Sequence, residues 1–200
     1  MDGYFRLCMV ALFSITLCLL SSGCSRKYIT TQGQEITLKE HEALFLYNCE
    51  HDKWWDNHSP AANCGFFGKD TLRYDPIGAL GYLKMGCDKG DDLSCLEYAS
   101  NAYKLSTDDK HYKLIKSYKL PLDELMKART YVLGLCVNKH IVIGGADNTK
   151  WLCYFAGKLH SEVLPSDVPN AVKAFKVNCE QRNDCADYKT LLANKLKPAE

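Results

Sequence analysis

Apolar residues recur along most of this chain at intervals of three and four, and cysteines mark where each run closes. Four places before Cys49, Cys87, Cys136 and Cys179 stand Phe45, Leu83, Val132 and Phe175, all bulky, and eight places before them stand His41, Ala79, Ala128 and Ala171. Offsets of four and eight share one side of a 3.6-residue helix, so each cysteine ends an apolar stripe that is narrow at its far end in three cases of four. A second set of cysteines shows the complementary pattern. Three places after Cys64, Cys95, Cys153 and Cys185 come Phe67, Tyr98, Ala156 and Tyr188, and four places after come Gly68, Ala99, Gly157 and Lys189. A small residue there lets a neighbouring helix approach closely, and the last unit, with no successor to pack against, carries a lysine instead. The pattern predicts two helices, A and B, repeated four times.

Start and stop signals agree. Asp75-Pro76 reads as an N-cap with proline at the first helical position, and Leu120-Pro121-Leu122-Asp123-Glu124 and Asp167-Val168-Pro169 open later A helices in the same style. Lys89-Gly90-Asp91-Asp92 and Gln181-Arg182-Asn183-Asp184 are short polar turns that return the chain as an antiparallel pair. The first cysteines recur at intervals of 38, 49 and 43 residues, the range of stacked helical repeats. A cysteine in the last turn of helix A faces one in the first turn of helix B, within the span a disulfide requires. The predicted pairs are therefore Cys49–Cys64, Cys87–Cys95, Cys136–Cys153 and Cys179–Cys185, each closing a short loop and each stabilising by about 2–3 kcal/mol on the chain-entropy model.

Composition sharpens the compartment. Eleven cysteines in 200 residues are hard to keep as free thiols and point to an oxidising environment unless a metal holds them. With 25 basic and 24 acidic residues there is no general electrostatic case for nucleic acid, and 46% apolar with 24% charged residues excludes disorder. The first segment accounts for three cysteines. Leu7 to Leu20 is a 14-residue apolar run after Arg6, closed by Ser21-Ser22-Gly23 before Cys24. It is short for a membrane span, which needs about 20 residues. Such a run ending in small residues before a cysteine resembles a bacterial lipoprotein signal, although Ser21 stands where that pattern prefers Leu. The resemblance implies cleavage before Cys24 and lipid on its sulfur and amine; an ordinary secretory signal with a coincidental cysteine is the alternative. Ser25, by resemblance to enterobacterial lipoproteins, favours the outer membrane. Lipidation also leaves eight cysteines, an even set.

One unit carries a family resemblance. Ala79 through Ala99, with Gly86-Cys87-Asp88-Lys89-Gly90-Asp91-Asp92-Leu93-Ser94-Cys95 at its centre, resembles the Sel-one-like repeat, a relative of the tetratricopeptide repeat, in its cysteine-rich secreted bacterial form. The other three units keep the cysteine offsets with altered turns, and the family's Tyr seven places after the second cysteine is Ala102 here. The resemblance covers about residues 35–195. The resulting expectation is an all-α protein, an α/α superhelix or solenoid of about four helix-turn-helix repeats stapled by intra-repeat disulfides. Residues 1–23 are read as signal peptide, 24–34 as lipidated N-terminus and flexible tether, and 35–197 as the repeat domain.

The resemblance implies a surface that holds a protein or peptide partner at the bacterial envelope, with the membrane engaged only through lipid on Cys24. Two enlarged A-to-B turns offer contact residues. His51 to His58 contains the adjacent Trp54 and Trp55, rigid groups of the kind enriched at binding hot spots, which alternatively fold back over the first unit. Asn138 to Asn148 contains His140, Ile141 and Ile143 before Gly144-Gly145, which reads as a short arm or half a hairpin able to pair with a partner, or as packing against its own helix B. Residues 106–119 read as an extra connecting helix. No metal or cofactor is expected, since the six histidines form no short ligand pair, although four-thiolate zinc sites are the alternative use of these cysteines in a reducing compartment. No catalytic residue is assigned. Ser-x-x-Lys, Gly-x-Ser-x-Gly, His-Glu-x-x-His and Cys-x-x-Cys are all missing, so the competing reading, a secreted enzyme with β-lactam-binding or β-lactamase-like activity, rests on family analogy alone.

Overall fold

The computed structural model describes residues 26–107, 118–183 and 185–195. The signal segment, Cys24 and most of the stretch expected as a connecting helix, residues 108–117, lie outside the described residues. What is described is predominantly helical, with two small antiparallel strand pairs.

The chain opens with a hairpin, β1 (Lys27–Ile29) against β2 (Glu35–Thr37), in the register Tyr28 opposite Ile36. This departs from the flexible tether expected over 24–34. Tyr28 is buried edge-on to Phe67 at 5.4 Å, and its hydroxyl donates 2.8 Å to Asp75. The Thr31 amide and hydroxyl also donate to that carboxylate, at 3.0 and 2.5 Å. Burial and the neighbouring Asp75 push the Tyr28 hydroxyl well above the usual phenol range, so it stays a donor.

Eight helices follow among the described residues: α1 (Glu40–Glu50), α2 (Pro60–Thr71), α3 (Pro76–Asp88), α4 (Asp92–Ser106), α5 (Leu122–Asn138), α6 (Thr149–Ser161), α7 (Val168–Arg182) and α8 (Ala186–Lys195). Their starts are chemically specified. Ser59, Asp75, Asp91 and Asp167 each accept a backbone N–H of the first turn, and Pro60, Pro76 and Pro169 sit where a missing donor costs nothing. At the other end of α7, Asn183 takes the left-handed conformation that stops a helix.

The helices form four hairpins, α1–α2, α3–α4, α5–α6 and α7–α8, and each hairpin packs on the next in chain order. Within the hairpins the cysteine pairs Cys49–Cys64, Cys87–Cys95, Cys136–Cys153 and Cys179–Cys185 are at bonding distance, with Cα atoms 4.7, 4.6, 4.7 and 4.2 Å apart. These are the pairs given by the hairpin register.

The sequence stripes form the joints between hairpins. Ala79, Leu83, Ala128, Val132, Ala171 and Phe175 are all buried, as are Phe67, Tyr98, Ala99 and Ala156. Gly68 lies so close to α3 that a Cβ there would meet the Ala79 carbonyl oxygen, Leu83 N and Leu83 Cγ, each at 2.9 Å. At the corresponding place two units along, a Cβ on Gly157 would overlap the ring of Phe175. The small residue of one helix B therefore receives the bulky residue of the next helix A. A polar contact repeats with the same logic. Lys89, at the end of α3, donates 3.0 Å to the Cys49 carbonyl one unit back, and Lys139, after α5, donates 3.4 Å to the Cys87 carbonyl. Each lysine places its ammonium on a carbonyl in the last turn of a helix, where the backbone dipoles favour a cation.

One continuous apolar core runs from Leu72 to Ala174, and a smaller cluster of Tyr28, Leu38, Leu46 and Phe67 joins the opening hairpin to the first unit. Among the described residues Glu42, Asp75 and Arg129 are buried charged groups. Arg129 is buried in α5, where its guanidinium donates to the Leu159 carbonyl at 2.8 Å and to the Val163 carbonyl, closing the end of α6.

Candidate interaction surface

The first enlarged turn splits its two tryptophans. Trp55 and His58 exchange backbone hydrogen bonds of 3.1 and 2.8 Å across Asp56 and Asn57, both at positive φ (45° and 63°), a tight turn that Asp and Asn tolerate. Trp55 turns inward and meets Phe45 edge-on at 5.3 Å, Phe45 stacks on Phe66 at 5.1 Å, and His58 closes on Phe66 at 4.8 Å. Trp54, pointing the other way from an extended backbone, is 72% exposed. Beside it, Lys53 donates 2.8 Å to the Tyr47 hydroxyl and sits over that ring, while His51 stacks on the same tyrosine at 4.3 Å. Of the two residues, Trp54 alone offers a free aromatic face; Trp55 anchors the turn that presents it.

The second enlarged turn is a complete hairpin rather than an open arm. β3 (Val142–Ile143) pairs with β4 (Ala146–Asp147) through Gly144 and Gly145, whose φ of 59° and 81° the tight turn requires. Ile141 is fully buried and its N–H donates 2.8 Å to Thr149 Oγ1, and Ile143 packs against the core. Val142 N–H donates 2.9 Å to Asp92 on α4. Ile141 is thus a core residue, a correction to its reading as a contact group, and Ile143 serves mainly to hold the hairpin down. His140 remains exposed, 3.8 Å from Asp147.

A third grouping was not foreseen in the sequence. His41 and Glu42 open α1, Asp70 ends α2, and ligand-type atoms of the three lie within 4.8 Å of one another, with His41 Nε2 3.7 Å from Asp70 Oδ2. Burial pushes the Asp70 carboxyl above its ordinary value, and His41 pulls it partly back. The arrangement is poorly suited to a dication. Both Glu42 oxygens are already engaged, one by Arg73 at 2.7 Å and the other by the Lys39 N–H at 2.9 Å. Lys39, Lys69, Arg73 and Lys104 line the same open groove and surround it with positive charge. Glu42 is the N3 residue of a capping box, which accounts for its burial.

The remaining histidines and acids of the first loop stay apart: His51 on Tyr47, His58 on Phe66, and Asp52 paired with Lys89. No family model, no curated protein and no solved structure matches this chain.

Proposed function

We propose that this chain is a Sel-one-like repeat protein of the bacterial envelope that works as an adaptor, holding another protein or a peptide on the surface of a curved stack of helical hairpins. On this reading the apolar leader is removed before Cys24, lipid at that cysteine fixes the protein to the periplasmic side of the outer membrane, and the disulfides form in that oxidising space. The observation that carries the reading is the repeated joint. Gly68 against Leu83, Gly157 against Phe175, and the lysines at 89 and 139 reaching back one unit are the contacts expected of a nearest-neighbour stack. Such a stack exposes surface rather than enclosing a reactive cavity, and among the described residues Trp54 is its most exposed large aromatic group.

The test is crosslinking in cells followed by identification of captured proteins, with Trp54→Ala and Cys24→Ser compared against the natural sequence. Adaptor function predicts a defined partner captured by the natural chain and reduced by Trp54→Ala, whose side chain can be removed without opening the core. Cys24→Ser should release the protein from the membrane fraction. A capture profile no different from that of an unrelated periplasmic protein would refute the reading.

A further inference from the structure

Between the A helices of the third and fourth units the surface is not closed. Thr130, Leu133, Gly134, Val137 and Asn138 follow one another along one face of α5, and Asn170 and Lys173 face them from α7 across an open groove of about 280 Å³. That is slightly below the usual range of small-molecule sites and suits one or two side chains of an extended segment. Gly134 leaves the middle of it open: a Cβ built there meets nothing within 4 Å.

His160, at the end of α6, also lines the groove and is only 3% exposed. Its Nδ1 lies 3.3 Å from Asp167 Oδ2 but off the geometry of a hydrogen bond, and its Nε2 has no partner. A buried polar group left unpaired is costly, and native structures seldom keep one unless something completes it. The groove also has a sign. Asp167 is engaged by Asn170, through both its side-chain and backbone N–H. Lys173 is exposed and makes no ion pair among the described residues. The lining therefore combines an aliphatic wall, a gap at a glycine, one cation with no ion pair among the described residues, and an imidazole whose Nε2 makes no hydrogen bond.

We infer that this groove takes an acidic side chain of an extended peptide segment, with its aliphatic stem over Gly134 and against Leu133 and Val137 and its carboxylate on the Lys173 ammonium. The inference rests on the adaptor reading and names the chemistry of the partner. Contact at the groove gives His160 Nε2 the hydrogen-bond partner it lacks.

The probe is a blocked hexapeptide, Gly-Gly-Leu-Glu-Gly-Gly, titrated into the isotope-labelled, disulfide-intact chain and followed by amide chemical shifts, alongside its Gln and Lys counterparts. The expected result is saturable shifts centred on residues 130–138, 160 and 170–173, with Kd of about 1 mM or tighter and about fivefold weaker binding for the Gln peptide. Lys173→Glu should reverse the order of the Glu and Lys peptides. Gly134→Leu should abolish the shifts while the protein stays at least as stable as the natural chain, because the position is helical and open. Absence of saturable shifts, equal binding of the Lys peptide, or binding unchanged by Gly134→Leu would overturn the inference. Cellular capture by Gly134→Leu separates the two levels: partners retained by that variant leave the adaptor reading standing and remove this groove from it. Peptide shifts with no cellular partner do the reverse.

Discussion

Replacing Gly68 by alanine asks whether successive hairpins meet where the repeat pattern says they do. In an isolated helix this exchange stabilises by about 1 kcal/mol, because alanine has less backbone entropy to lose. At Gly68 the added methyl arrives 2.9 Å from the Ala79 carbonyl oxygen and from Leu83 N, which are backbone atoms of a neighbouring helix, and from Leu83 Cγ, whose side chain is fully buried. None of these can step aside without moving α3, so the cost is that of overpacking, typically about 1–3 kcal/mol. Gly81 is the control. It lies in α3, where a Cβ meets nothing within 4 Å, so its alanine variant keeps the propensity gain and incurs no clash. The helix term is common to both substitutions, so the difference between them isolates the joint and should be about 1–3 kcal/mol in favour of Gly81→Ala. Urea unfolding of both variants with disulfides intact, read by circular dichroism at equal m-value, measures it. Equal stability of Gly68→Ala and Gly81→Ala would show that the first two units do not pack in this register, and the stack would lose its principal support.

Asp75→Ala should destabilise by about 3 kcal/mol, since it removes the N-cap of α3 and strands the buried Tyr28 hydroxyl, with Asp75→Asn losing less; hydrogen exchange at residues 27–37 should rise together with the drop in denaturation midpoint. His160 makes stability fall with acidification: burial holds its pKa below the ordinary 6.5, with nearby Arg129 lowering it and Asp167 raising it. Below about pH 6.5 the unfolded chain therefore takes up a proton that the folded one does not. The loss continues down to the folded-state value, with a slope of at most about 1.4 kcal/mol per pH unit. His160→Gln should flatten the stability profile between about pH 6.5 and 5, before the carboxylates titrate; a profile unchanged by this substitution would refute the assignment.

How much of this was legible in the sequence follows from which contacts are local. The stripes before and after the cysteines are periodic, so Leu83, Val132, Phe67 and Tyr98 could be placed in the core, and the hairpin register followed from the same spacing. The proline and aspartate caps are chemical signals a few residues long, and they mark helix starts where the structure has them. The joints were half legible: a small residue at Gly68 or Gly157 announced a close approach, but not that Leu83 or Phe175 fills it. Contacts between residues far apart in the chain left no periodic trace. Tyr28 finds Asp75 47 residues away, which turns a polar tether into a packed hairpin, and Arg129 satisfies carbonyls about 30 residues on. The two tryptophans show the limit most sharply. Alternation along an extended segment requires that adjacent side chains point apart, yet only the aromatic pair Phe45 and Phe66, supplied by two different helices, decides that Trp55 goes in and Trp54 stays out. The site-level error at Ile141 has the same origin. An Ile-Val-Ile run has the composition of an exposed pairing strand and of a buried plug alike, and what separates them is Thr149, whose hydroxyl accepts the Ile141 N–H and removes the need for a partner strand. Exposed surface is therefore the part of this molecule sequence periodicity describes least, because it is what remains after non-local contacts have claimed their residues.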